Sequence, residues 1–114
     1  MKVLIAGSRS IRDYDLSKYI PPETDLIISG GAEGIDSLAE QYADQHRISK
    51  LILRPRYELY GRAAPIKRNE LMVNLADTVI IIWDGVSKGT NHTVTYARKK
   101  NKPLQLIRLN EVNG

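Results

Sequence analysis

The residues of this chain best suited to holding an anion lie in three short turns, each following an apolar run. They are Gly7-Ser8-Arg9, Ser29-Gly30-Gly31-Ala32-Glu33-Gly34 and Asp84-Gly85-Val86-Ser87-Lys88-Gly89-Thr90. Glycine permits a sharp bend from strand to helix and lets backbone approach a ligand closely. Each turn is expected to open a helix, whose first N–H groups lack intrahelical partners and lie at the positive end of the helix dipole, where phosphate binds. Ser87-Lys88-Gly89-Thr90 adds an ammonium and hydroxyls, a set of donors that can surround a phosphate. Gly30-Gly31-x-x-Gly34 lacks the spacing of the dinucleotide fingerprint, and the last turn lacks that of a Walker A loop. The chemistry indicated is binding of a phosphorylated small molecule.

Other side chains fill out that reading. Asp36 falls in a first helical turn, where the dipole favours a carboxylate. Arg68 and Asn69 stand near the start of another predicted helix, and an arginine can fork two N–H groups onto phosphate. His92 is near the third turn and could touch a ligand, whereas His46 ends a polar helix face. No metal spacing, paired carboxylate or Ser-His-Asp arrangement is present, so no metal, cofactor or catalytic group is assigned. The candidate ligand-binding set is Gly7, Ser8, Arg9, Gly30, Gly31, Ala32, Gly34, Asp36, Arg68, Asn69, Asp84, Gly85, Ser87, Lys88, Gly89 and Thr90.

The elements that must position these residues follow from apolar patterning. Val3 to Ala6, Leu26 to Ile28, Leu51 to Leu53, Val79 to Trp83 and Leu104 to Ile107 are continuous apolar runs, as in parallel strands covered on both faces. Ile35, Leu38, Ala39, Tyr42 and Ala43 recur at helical spacing. Pro65 suits the first turn of a helix reaching Leu75, and Thr90 is the expected N-cap of one running to about Lys100, stopped by Pro103. Strict β-α alternation predicts an α/β, three-layer Rossmann-like fold with a five-stranded parallel sheet of order 3-2-1-4-5. In that order winding reverses between strands 1 and 4, and the first and third turns flank the crevice. The stretch from about Arg54 to Ala64 reads as the longest irregular segment, suited to a lid or a partner surface.

Residues 1–114 read as a single domain, long enough for a layered core. The chain has no cysteine, which suits a reducing compartment, and no apolar run approaches the roughly 20 residues of a membrane span. A cytoplasmic protein with no membrane partner is expected. The net charge of +4 is asymmetric: residues 1–57 carry eight charges of each sign, and the remainder carries nine cations against five anions. Arg98, Lys99, Lys100 and Lys102 account for part of that excess and fall where cations complement a helix C-terminus. Nucleic acid is therefore a less favoured partner than a small molecule.

Taken together, Gly7-Ser8-Arg9, Ser29-Gly30-Gly31-Ala32-x-Gly34-Ile35-Asp36, Lys67-Arg68-Asn69-x-x-Met72 and Trp83-Asp84-Gly85-x-Ser87-Lys88-Gly89-Thr90-x-His92-Thr93 resemble the SLOG superfamily. That group joins the Smf/DprA DNA-processing proteins and the Lonely guy (LOG) proteins, and the likeness is nearest to its small YspA-like branch. The resemblance implies a Rossmann-like domain that binds nucleotides or nucleotide-derived ligands such as NAD, ADP-ribose or nucleoside phosphates. In LOG phosphoribohydrolases the last turn carries a catalytic glutamate that works with an arginine. Here Arg68 matches the arginine, but His92 stands where the glutamate would be, which argues against that activity. A DprA-like nucleic-acid binder would need a base-stacking platform, and the chain has no phenylalanine. The expected protein is a nucleotide sensor or binding domain. The apolar content of Tyr57, Leu59, Tyr60, Ala63 and Ala64 adds the expectation of a homo-oligomer, most simply a homodimer.

Overall fold

The computed structural model describes residues 1–109. Five strands, β1 (Lys2–Gly7), β2 (Leu26–Ser29), β3 (Ser49–Ile52), β4 (Thr78–Trp83) and β5 (Leu104–Arg108), pair in parallel in the order β3-β2-β1-β4-β5. This is the Rossmann-like order expected from the sequence. Alternate residues of each strand enter different cores, which is why the apolar runs are continuous. Val3, Ile5, Ile27, Ile80 and Ile82 pack on one face with Ile35, Ala39 and Ala43 of helix α1 (Ile35–Gln45). Leu4, Ile28, Val79 and Ile81 pack on the other with Met72 and Val73 of one helix and Val94 and Ala97 of another. Those two helices, α3 (Ala64–Leu75) and α4 (Lys88–Lys99), form the third layer. Among the described residues no helix is long and apolar enough to cross a membrane.

The strict alternation fails between β1 and β2, where residues 8–25 cross over without a helix. The fully buried apolar anchors are Leu16 and Ile20, with Ile11, Tyr14 and Tyr19 partly buried beside them, Asp15 accepts hydrogen bonds from the Ser17 amide and hydroxyl in a local turn, and Pro21-Pro22 follows. Such a side-chain turn competes with helix formation. The first turn therefore contributes no helix N-terminus, and residues 8–25, not 54–64, are the longest irregular segment. The latter instead holds a single helical turn, α2 (Tyr57–Tyr60), and a 3-10 turn (Gly61–Ala63) leading into α3. Ala64 is buried in the core and so is unavailable to a partner.

The basic end of the chain is partly structural. Lys102 Nζ donates to the Ala76 carbonyl at 2.8 Å and the Asn74 carbonyl at 3.3 Å, capping the end of α3 rather than that of its own helix.

Candidate functional site

A cleft of about 340 Å³ opens at the carboxyl edge of β1 and β4, between the start of α1, the first turns of α3 and the start of α4. Ten of the candidate residues line it: Gly7, Arg9, Ala32, Asp36, Arg68, Asn69, Asp84, Ser87, Gly89 and Thr90. Ser8, Gly30, Gly31, Gly34, Gly85 and Lys88 do not. The division is physical, because most of the latter build the walls rather than face the space.

Ser8 is buried, donating its amide to the Ile82 carbonyl at 3.1 Å and accepting the Asp84 amide on Oγ at 2.9 Å. It therefore fixes the spacing of the first and third turns. Gly34 has φ +75°, and a β-carbon there would collide with the backbone carbonyl of Ser8, so glycine is required to press α1 against the first turn. Arg9, released above this scaffold, is exposed and lines the cleft.

Asp36 and Arg68 face each other across Gly30. Asp36 is 6% exposed, and its Oδ2 accepts the Ala32 amide at 3.2 Å. Burial pushes its carboxyl up to about 6, against the opposing pull of the Ala32 hydrogen bond and of the Arg68 and Arg9 charges. Arg68 is half-buried, and its Nη1 donates to the Gly30 carbonyl at 2.7 Å and the Leu53 carbonyl at 3.2 Å. Its Nε donates to Asn69 Oδ1 at 2.8 Å. A guanidinium has five N–H groups, so the two on Nη2 remain without a protein acceptor among the described residues. Desolvation lowers the Arg68 pKa, with the neighbouring Asp36 charge acting in the opposite direction.

The third turn is organised by Asp84. Its Oδ1 accepts the amides of Val86 at 2.9 Å and Ser87 at 3.0 Å, and Ser10 Oγ donates to its Oδ2 at 3.2 Å. These bonds hold its carboxyl below the usual range. Trp83 Nε1 donates to the Ser87 carbonyl at 3.1 Å, closing the turn from the other side. Ser87, not Thr90, is the N-cap of α4, and Thr90 lies inside the first turn with its hydroxyl 3.2 Å from that of Ser87. The amides of Lys88, Gly89 and Thr90 are thus the orphan donors of the helix start.

Two residues expected near the ligand lie off the cleft lining. Lys88 is exposed and does not line the cleft. His92 is also off the lining, its Nε2 3.0 Å from Glu70 Oε2 on α3. Conversely, Ala6, Ser10, Pro65, Met72 and Thr93 line the cleft and lie outside the candidate ligand-binding set. Ser10 and Pro65 are neighbours of Arg9 and Arg68 in their turns, and Thr93 follows Gly89 by one helical turn, so local spacing could have flagged these three.

The chain is similar to the Gene 61 protein of Mycobacterium phage D29, with 29% identity over 116 residues covering 90% of this chain and 93% of that protein. That name states no activity. No protein-family model and no solved structure matches the chain.

Proposed function

We propose that the chain binds a nucleotide-derived phosphate compound in the cleft between β1 and β4, acting as a sensor or binding domain of SLOG type. The observation that carries this reading is the convergence on one cleft, at the reversal of winding, of Arg9, Arg68 and the unpaired amides at the start of α4. Phosphate sits against Arg9 and the amides of Gly89 and Thr90, where charge-assisted bonds are strongest. Asp36, with one oxygen engaged by Ala32, offers the other to ribose hydroxyls. The cleft volume of about 340 Å³ is at the lower end of the roughly 300–1,000 Å³ of small-molecule sites, which suits one nucleotide.

Calorimetric titration with AMP, ADP-ribose and NAD tests the reading. Binding that is weakened by Arg9→Ala supports it. Absence of binding by all three ligands removes it, and binding of single-stranded DNA instead would move the nucleic-acid reading ahead.

A further inference from the structure

A second depression, a groove of about 680 Å³, runs beside the free edge strand β3 and over α3. Its apolar surface comes from Leu53 and Leu71, its aromatic surface from Tyr60, and its rim carries the cations Arg54, Arg56 and Lys67. Tyr60 is 49% exposed and Leu71 48%, so both present apolar area to water that a flat apolar ligand group could cover. Glu58 is paired with Arg56, and the groove lining holds four cations and no carboxylate, a positive balance.

Arg68 lines the groove and the cleft alike. Three of its N–H groups are consumed by Gly30, Leu53 and Asn69, which fixes the guanidinium plane. The two left on Nη2 point apart, so each can donate singly to a phosphate oxygen. The cleft alone has room for one nucleotide, and the groove that meets it at Arg68 has apolar, aromatic and cationic surface for another.

We infer that cleft and groove form one bipartite site for a dinucleotide, with one nucleotide in the cleft, the bridging phosphate on Arg68 and the second nucleoside against Tyr60 and Leu71. This rests on the function proposed above and narrows its ligand class. The groove cations take any further phosphate on the second half. A second copy of this chain is the competing occupant of the same surface, and its seating would make Tyr60 an interface residue instead.

The test is calorimetry of AMP, NAD and the phosphodiester dinucleotide ApA on the wild-type chain, Tyr60→Ala and Lys67→Ala, with thermal melts to verify folding. The dinucleotides are expected to bind at least about tenfold more tightly than AMP, and Tyr60→Ala to remove most of that advantage while changing AMP affinity by less than about twofold. A gain for NAD alone identifies a pyrophosphate bridge, and a gain for ApA a phosphodiester. Leu71→Asn provides a second variant should Tyr60→Ala fold poorly. Dinucleotides that bind no better than AMP, or a Tyr60→Ala change that alters the oligomer by light scattering and leaves NAD affinity intact, would overturn the bipartite site and leave the cleft reading standing. Failure of AMP and both dinucleotides to bind removes both.

Discussion

Arg68 Nη1 donates to the carbonyl of Gly30 at 2.7 Å, joining residues 38 apart in sequence. The same nitrogen lies 2.8 Å from where a β-carbon of residue 30 would sit, with Asp36 Oδ2 at 2.9 Å from that point. A methyl group at this position would push the two side chains apart. Because the atoms it meets are side-chain ends, Gly30→Ala is expected to fold with a loss of about 1–2 kcal/mol in urea denaturation. Gly34→Ala should cost more, since there the obstruction is the Ser8 backbone and φ is +75°. Gly89→Ala is the contrasting case: a β-carbon there meets nothing within 4 Å, and the residue is helical, so stability should be unchanged or raised by up to about 1 kcal/mol. A Gly89→Ala loss matching that of Gly34→Ala would contradict the packing described.

Asp36 gives the fold a pH dependence whose sign can be stated. Its carboxyl titrates near 3.8 in an unfolded chain and at about 6 when buried here, so the folded protein holds the proton more tightly. Stability contributed by the protonated form is present below about pH 4 and lost as pH rises through 6, a cost of about 3 kcal/mol above that point. Asp36→Asn keeps an acceptor for the Ala32 amide without the charge. Its melting temperature should exceed that of the wild type at pH 8, with the difference vanishing near pH 4. A variant less stable than wild type at pH 8 would show that attraction to Arg68 outweighs desolvation.

The sheet was readable because each strand is apolar on both faces and flanked by turn residues, as in Val79 to Trp83. The missing helix between β1 and β2 was less visible, since a local bond between Asp15 and Ser17 decides it. At the site, the identity of the three turns was legible, but the direction of their side chains was not. Lys88 and Gly89 are adjacent in sequence and only Gly89 lines the cleft, a difference of about 100° around the helix that no composition reveals. Arg68 read as a phosphate clamp or a surface arginine. Its anchoring to Gly30 and Leu53 depends on carbonyls brought in by other strands, and backbone acceptors leave no signature in residue type.

The N-glycosidase activity of LOG proteins should be weak or absent. An oxocarbenium-like transition state needs a negative charge at the sugar. Here His92 is bonded to Glu70 outside the cleft, and Asp84 is committed to the turn amides and Ser10. Chromatography of AMP incubations should show little free adenine. Release at a rate within about tenfold of a LOG enzyme, abolished by Asp36→Asn, would assign the missing charge to Asp36.

A homodimer is expected to form through Tyr57 and Leu59, which are 60% and 61% exposed and lie outside the groove lining. Light scattering at micromolar concentration should give about twice the 12.8 kDa of one chain, falling to one chain in Leu59→Asp. A 12.8 kDa species alone at that concentration would remove the claim.

The most direct measurement is the affinity for AMP of the wild-type chain, Arg9→Ala and a Lys99→Ala/Lys100→Ala double variant, determined by calorimetry at a single ionic strength. Arg9 lines the cleft, and a charge-assisted bond from it to phosphate contributes about 1.5–3 kcal/mol, so its removal should weaken binding about tenfold or more. Lys88→Ala should cost less than that, because Lys88 does not line the cleft. Lys99 and Lys100 are exposed at the far end of α4, where screening limits their effect to less than about threefold. An Arg9→Ala chain that binds AMP as well as wild type while the double lysine variant loses it would contradict the assignment of the cleft.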